Sequence, residues 1–247
     1  NRPGDSHRGS MSGSLRAEWR ASDAWTVFAG VNANEGVRDG WDSTFTAEQW
    51  TGGALNSLNT EALRVEESQK DTRGGDAFAG FERTFGSRDH KWTADVRRSY
   101  NTQDGQTDFV DVSLVPGSTT SDVHTFNAQD TQNRRWLAQT DYERPWGEKG
   151  KIEAGLKSTW NVDNSGFNYT EADSLLLSDG IYIPVGLDTV AYSFLYDEQV
   201  HAAYFTAGHS VGMVGFQAGL RAEQAFTSAR LEGEGNLQSE PFNNNYF

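Results

Sequence analysis

Trp136-Leu137-Ala138-Gln139-Thr140-Asp141-Tyr142-Glu143 runs into Arg144-Pro145-Trp146-Gly147 and returns as Lys151-Ile152-Glu153-Ala154-Gly155-Leu156-Lys157-Ser158-Thr159-Trp160. In the first limb Trp136, Ala138, Thr140 and Tyr142 alternate with Gln139, Asp141 and Glu143. In the second, Ile152, Ala154, Leu156 and Trp160 alternate with Lys151, Glu153, Lys157 and Thr159. Successive side chains of a strand leave opposite faces of the backbone, so a period of two marks a strand. Two such runs around a tight polar turn predict a β-hairpin.

The same unit recurs on both sides. Leu15, Ala17 and Trp19 alternate with Arg16, Glu18 and Arg20; after Ala21-Ser22-Asp23-Ala24, Trp25, Val27, Ala29 and Val31 alternate with Thr26, Phe28, Gly30 and Asn32. Ala77, Ala79, Phe81 and Phe85 lead into Gly86-Ser87-Arg88-Asp89, and Trp92, Ala94, Val96 and Tyr100 return against Lys91, Asp95 and Arg97. In the last unit Val200, Ala202 and Tyr204 are expected on the apolar face, with a turn near Gly208. Val214, Phe216, Ala218, Leu220 and Ala222 return against Gln217, Arg221 and Glu223.

Short turns thus fall near residues 22, 87, 147 and 209. The intervals 34–75, 101–132 and 162–195 are rich in Asn, Asp, Gly, Ser and Thr and read as long loops, with a short helix expected over 61–70. Short turns on one side and long loops on the other are unusual in a compact soluble domain. They are the pattern of an outer-membrane barrel. The expected fold is an all-β, antiparallel transmembrane β-barrel section of about eight strands in four hairpins, over one partial domain, 1–247.

Composition narrows the function. The 247 residues hold 21 Lys+Arg and 35 Asp+Glu, a net charge of −14, which argues against a nucleic-acid partner needing a basic stripe. The absence of cysteine excludes a disulfide scaffold and a thiol nucleophile. No apolar run reaches the ~18–20 residues of a membrane helix.

The alternation fits two settings. In a soluble sandwich the apolar face packs on a second sheet; in a membrane barrel it meets lipid while the polar face lines water. Aromatic placement favours the barrel. Trp19 and Trp25 flank the first turn, Phe85 and Trp92 the second, and Tyr142 and Trp146 the third, while Tyr100, Trp136 and Trp160 lie at the far ends. Rings at both ends of an apolar band form the interfacial girdles of a membrane protein. From Trp92 to Tyr100 the strand spans about 27 Å, or roughly 20 Å when tilted, against an apolar band of ~25 Å. The small, Ala-rich filling suits lipid, which needs no interlocking side chains.

Leu137 to Pro145 followed by Lys151 to Lys157, and His201-Ala202-Ala203-Tyr204-Phe205 followed by Gly219-Leu220-Arg221-Ala222-Glu223, resemble barrel hairpins of TonB-dependent outer-membrane receptors. The resemblance is clearest over about 133–226. It implies a barrel of ~22 strands around a plug domain, energised through TonB, that takes up an iron chelate, cobalamin, an oligosaccharide or a peptide. Plug and TonB box have no counterpart in this sequence. The expectation is therefore the middle section of a larger receptor, ending before its next strand. Its partners would be outer-membrane lipid, its own plug, TonB and a small solute.

Candidate site residues follow from the phase. Arg16, Glu18, Asp95, Arg97 and Asp141 belong to the ionised face and are expected to line the lumen, as are Glu143, Glu153, Lys157, Arg221 and Glu223. His201 is a further candidate lumen group. Ligand contacts are expected on the outer loops, around Trp41, Trp50, Phe109 and Tyr169.

Other chemistry is weakly supported. Gly208-His209-Ser210-Val211-Gly212 has the spacing of a nucleophile elbow, but an alternating run follows and no histidine occurs after His209, so no triad can be completed. Asn161-Val162-Asp163-Asn164-Ser165-Gly166 mimics half of a calcium loop, yet its twelfth position is Ala172. No catalytic residue, metal site or cofactor is expected, and the chain does not read as an enzyme. Two other readings remain open: a complete eight-stranded outer-membrane barrel with a structural or adhesive role, and a secreted carbohydrate-binding β-sandwich.

Overall fold

A computed structural model describes residues 4–49, 59–87, 89–113, 122–176, 182–233 and 242–246. Nine strands form one antiparallel sheet: β1 (Asp5–Ser22), β2 (Trp25–Gln49), β3 (Asn59–Thr84), β4 (Lys91–Ser113), β5 (Asp122–Trp146), β6 (Gly150–Leu176), β7 (Tyr182–Val211), β8 (Val214–Gly233) and β9 (Phe242–Tyr246). Their order in the sheet is their order in the chain. The eight expected strands are present. β9 is an addition: Phe242–Tyr246, expected to lie before the next strand, pairs with Ala225–Ala229 of β8.

The expected long loops are mostly ladder. β2 and β3 stay paired from Trp25↔Arg83 to Gln49↔Asn59, β4 and β5 from Lys91↔Glu143 to Asp111↔Val123, and β6 and β7 up to Leu176↔Tyr182. The segment 61–70, expected as a helix, is strand in β3. The reason is that a ladder is held by backbone hydrogen bonds, which need no apolar face once both faces meet water. β6 has 27 residues, about 90 Å of strand, whereas ~9–11 residues suffice to cross a bilayer.

Three short turns lie where the alternation breaks, at Asp23-Ala24, Phe85–His90 and Gly147–Lys149. The fourth falls at Gly212-Met213, not near Gly208, which still pairs with Gln217. Gly86 (φ 80°), Gly147 (φ 65°) and Gly212 (φ 64°) occupy left-handed backbone that an L side chain resists.

The sheet is a single layer. Leu15, Val96, Leu156 and Leu220, on the apolar face, are 71, 41, 58 and 82% exposed. Among the described residues Ala202 is the one buried apolar side chain. A sandwich would bury these leucines under a second sheet, so the sandwich reading is set aside. β1 pairs only with β2, and no pairing of β1 with β8 or β9 is present among the described residues. The ring of a closed eight-stranded barrel is therefore not formed here.

Candidate functional site

Register fixes which side chains share a face, because directly opposed residues project together. Arg16↔Gly30↔Phe78↔Arg97↔Leu137 is one row across five strands. Glu143↔Glu153↔Thr206 and Lys157↔Ala202↔Glu223 are others. All ten ionised candidates, Arg16, Glu18, Asp95, Arg97, Asp141, Glu143, Glu153, Lys157, Arg221 and Glu223, fall on this one face. The aromatic candidates take the other: Trp19 opposes Val27, Trp92 opposes Tyr142, Trp136 opposes Trp160, and Tyr100 sits beside Arg134. Trp25 packs at a tilt against Phe81, while Phe81 meets Trp92 and Phe85 meets Tyr142 edge-on. Trp146 closes the row beside His209, with rings 5.7 Å apart.

The ionised face is knit mostly to itself. At its short-turn end Glu143 accepts from Lys91 at 3.2 Å and Lys151 at 2.6 Å, and Lys151 also pairs with Glu153, so one chain of charge crosses β4, β5 and β6. Tyr204 donates to Asp141. Arg16–Glu18 and Arg221–Glu223 pair along their own strands, at 3.9 and 2.8 Å. Arg97 approaches Asp76 at 3.8 Å and lies 5.0 Å over the Phe78 ring. Lys91, Lys151 and Asp76 were missing from the candidates, although they share the phase of Asp95, Glu153 and Phe78. Two rings reach over glycines of neighbouring strands: a Cβ at Gly155 would collide with Tyr204, and one at Gly80 with Phe28.

Strand β7 is out of phase with expectation. Val200, Ala202 and Tyr204 oppose Thr159, Lys157 and Gly155 on the ionised face; Ala203, Phe205 and Ala207 oppose Leu156, Ala154 and Ile152 on the apolar one. A one-residue slip moves every side chain to the other face. His201 is thereby placed on the apolar face and not on the lumen side, with Nδ1 3.0 Å from Ser158 Oγ and its ring against Trp160.

Above the apolar band the ionised face becomes an amide, acid and aromatic surface. Asn133 donates to Asn161 at 2.9 Å and also to Asp163. Arg64 forks onto Asp111 through two 2.7 Å hydrogen bonds and covers the Phe109 ring at 4.6 Å; Asp111 holds its pKa above the ordinary arginine value. Tyr169 donates to Glu171, and this bond raises the phenol above its ordinary pKa. The rings of Phe167 and Tyr192 lie 5.0 Å apart. Of the expected ligand aromatics, Phe109 and Tyr169 share this face. Trp41 takes the opposite one, in register with Asp5 and Glu67, and Trp50 lies outside the described residues.

The two motif candidates resolve into ladder. Asn161 to Gly166 is paired on both sides within β6, so it does not form a calcium loop. Ser210 lies next to the end of β7 at Val211, and a tight turn and β8 follow where an elbow needs a helix. Among the described residues no group of three metal-ligating side chains converges.

Residues 83–247 match the model of the outer membrane protein beta-barrel family. The chain belongs to that family. The match takes in β4 to β9 and both quoted hairpins. No curated protein matches the chain. Membership places this barrel wall in the outer membrane of a Gram-negative bacterium. The exposed leucines and alanines thus face hydrocarbon, and the short turns lie on the periplasmic side.

Proposed function

We propose that this wall is part of a TonB-dependent receptor that takes up a scarce solute, and that its ionised face lines the lumen around a plug. The observation that carries the reading is the form of the sheet. It runs from β1 to β9 without closing on itself among the described residues, and β1 leaves an 18-residue edge unpaired. An open edge cannot stand in hydrocarbon, where each bare N–H and C=O costs several kcal/mol. Further strands pairing with β1 satisfy that edge and give a barrel wide enough to hold a plug. Charges knit along the wall, such as Lys91–Glu143–Lys151, leave a firm polar surface for a plug to rest against. The tall amide and aromatic surface above suits capture of an iron chelate, an oligosaccharide, cobalamin or a peptide.

The test is uptake in the native cell. A strain lacking the gene and a strain lacking TonB are each offered limiting amounts of labelled ferric chelate, cobalamin, oligosaccharide and peptide. Loss of uptake of one class in both strains is the expected result. Uptake that needs this gene but not TonB, or normal uptake of all four classes without the gene, overturns the reading.

A further inference from the structure

The hydrocarbon face carries an unexpected pair of cations. Arg98 stands directly opposite Trp136, and Arg134 directly opposite Tyr100, on adjacent strands. They are diagonal neighbours, with Cβ atoms about 7 Å apart. Both are exposed. Arg98 spreads over the Trp136 indole at 5.1 Å, and Arg134 donates to Gln132 at 3.0 Å. Neither forms an ion pair with a carboxylate among the described residues, in a chain whose net charge is −14. Arg73, which faces the same way one strand over, is by contrast paired with Glu35 at 3.0 Å.

Position gives the pair its meaning. Both arginines lie at the long-hairpin, outer end of the apolar band, level with Tyr100 and Trp136. From the row of Arg98, which also holds Leu15, Ala77 and Trp136, the same face forms a groove of about 500 Å³ that runs down toward Ala29 and Val96. Higher on this face the side chains turn acidic, as at Asp104 and Asp130 in the ladder above Tyr100 and Arg134. Toward the long-hairpin end of this face, cationic charge without a carboxylate partner is therefore gathered at Arg98 and Arg134, at the edge of an apolar groove.

We propose that Arg98 and Arg134 bind the phosphate of an acylated phosphoglycolipid of the outer leaflet, with an acyl chain laid in the groove below. Guanidinium groups match phosphate oxygens in pairs of parallel hydrogen bonds, and two adjacent forks hold one phosphate from both sides. The Arg98 guanidinium rests on the Trp136 ring of the aromatic belt, the level at which headgroups meet the apolar band. The small side chains of Ala29 and Ala77 leave the groove open where bulkier ones would fill it. This site is independent of TonB-driven uptake and stands on the hydrocarbon side of the wall.

The test uses the full-length receptor purified in detergent. Retention is read by native mass spectrometry for bisphosphorylated lipid A, for the same lipid A without phosphates, and for phosphatidylglycerol. Bisphosphorylated lipid A is expected to be retained about tenfold more than its dephosphorylated form, the effect of losing one charge-assisted interaction. The double variant Arg98→Gln/Arg134→Gln is expected to lose that preference while keeping the gel mobility of a folded barrel. Ala29→Trp, which fills the groove two strands away from Arg98, is expected to weaken retention with both arginines intact. Equal retention of the two lipid A forms overturns the site, as does an unaltered preference in the folded double variant. Equal retention of phosphatidylglycerol overturns the choice of a glycolipid. If the double variant does not fold, the comparison of the two lipid A forms on the unaltered protein decides alone.

Discussion

The lower and upper parts of this sheet share one backbone ladder and differ in what their faces meet. In the lower part Leu156, Ala138 and Val96 stand on one side and Lys157, Gln139 and Asp95 on the other. In the upper part both sides are polar: Asp104, Gln106 and Asp108 alternate with Gly105, Thr107 and Phe109. Pairing runs through both parts without a break between β4 and β5. The difference shows that period two in hydropathy reports contact with hydrocarbon, whereas strand pairing itself needs only backbone partners.

The largest expected effect contrasts the two parts directly. Leu156→Arg puts a charge in mid-band and should destabilise the protein by about 2–4 kcal/mol, read as urea-induced unfolding in lipid vesicles. Gln106→Arg, exposed on the same face but above the band, should shift stability by less than about 0.5 kcal/mol. Equal effects at the two positions would break the distinction between lipid-facing and water-facing ladder.

That distinction also explains how much was legible in the sequence. The eight paired strands, three of the four turns and the facing of all ten ionised candidates follow from alternation, because lipid on one side and water on the other enforce it. The upper ladder did not register: with water on both faces, 34–75 and 101–132 carry no contrast for hydropathy to detect. Strand β7 misled for a local reason. Its lipid face bears Gln199 and His201 near the outer boundary, while Val200, Ala202 and Tyr204 sit on the ionised face, where Tyr204 covers Gly155. Single residues defeated the average over four or five positions. The Arg98 and Arg134 pair escaped for the same cause, since cations on an apolar face read as breaks in the pattern.

A smaller effect separates the charge networks of the two parts. Glu143→Gln removes the carboxylate shared by Lys91 and Lys151 and should cost about 1 kcal/mol. Asp111→Asn removes only the Arg64 fork, between groups more open to solvent, and should cost less. Urea midpoints of the two variants, measured at low and high salt, check the order. The reverse order would place the firmer part of the wall above the membrane.

The smallest effect is a titration. Glu171 holds the Tyr169 phenol above its ordinary pKa, so the folded protein keeps that proton into more alkaline solution than the unfolded chain does. The stability it contributes is fully present below the ordinary tyrosine value, near pH ~10, and is lost as pH rises through the folded value. Ultraviolet difference absorbance against Tyr169→Phe should show the phenol ionising earlier in Glu171→Gln. An unchanged midpoint would detach the tyrosine from its carboxylate.

Strand order in this sheet equals chain order, and every ladder joins sequence neighbours. No segment has to wait for a distant one before it can dock. Each strand pairs with its own chain neighbour, so the wall can be laid down stave by stave with no segment threaded past another.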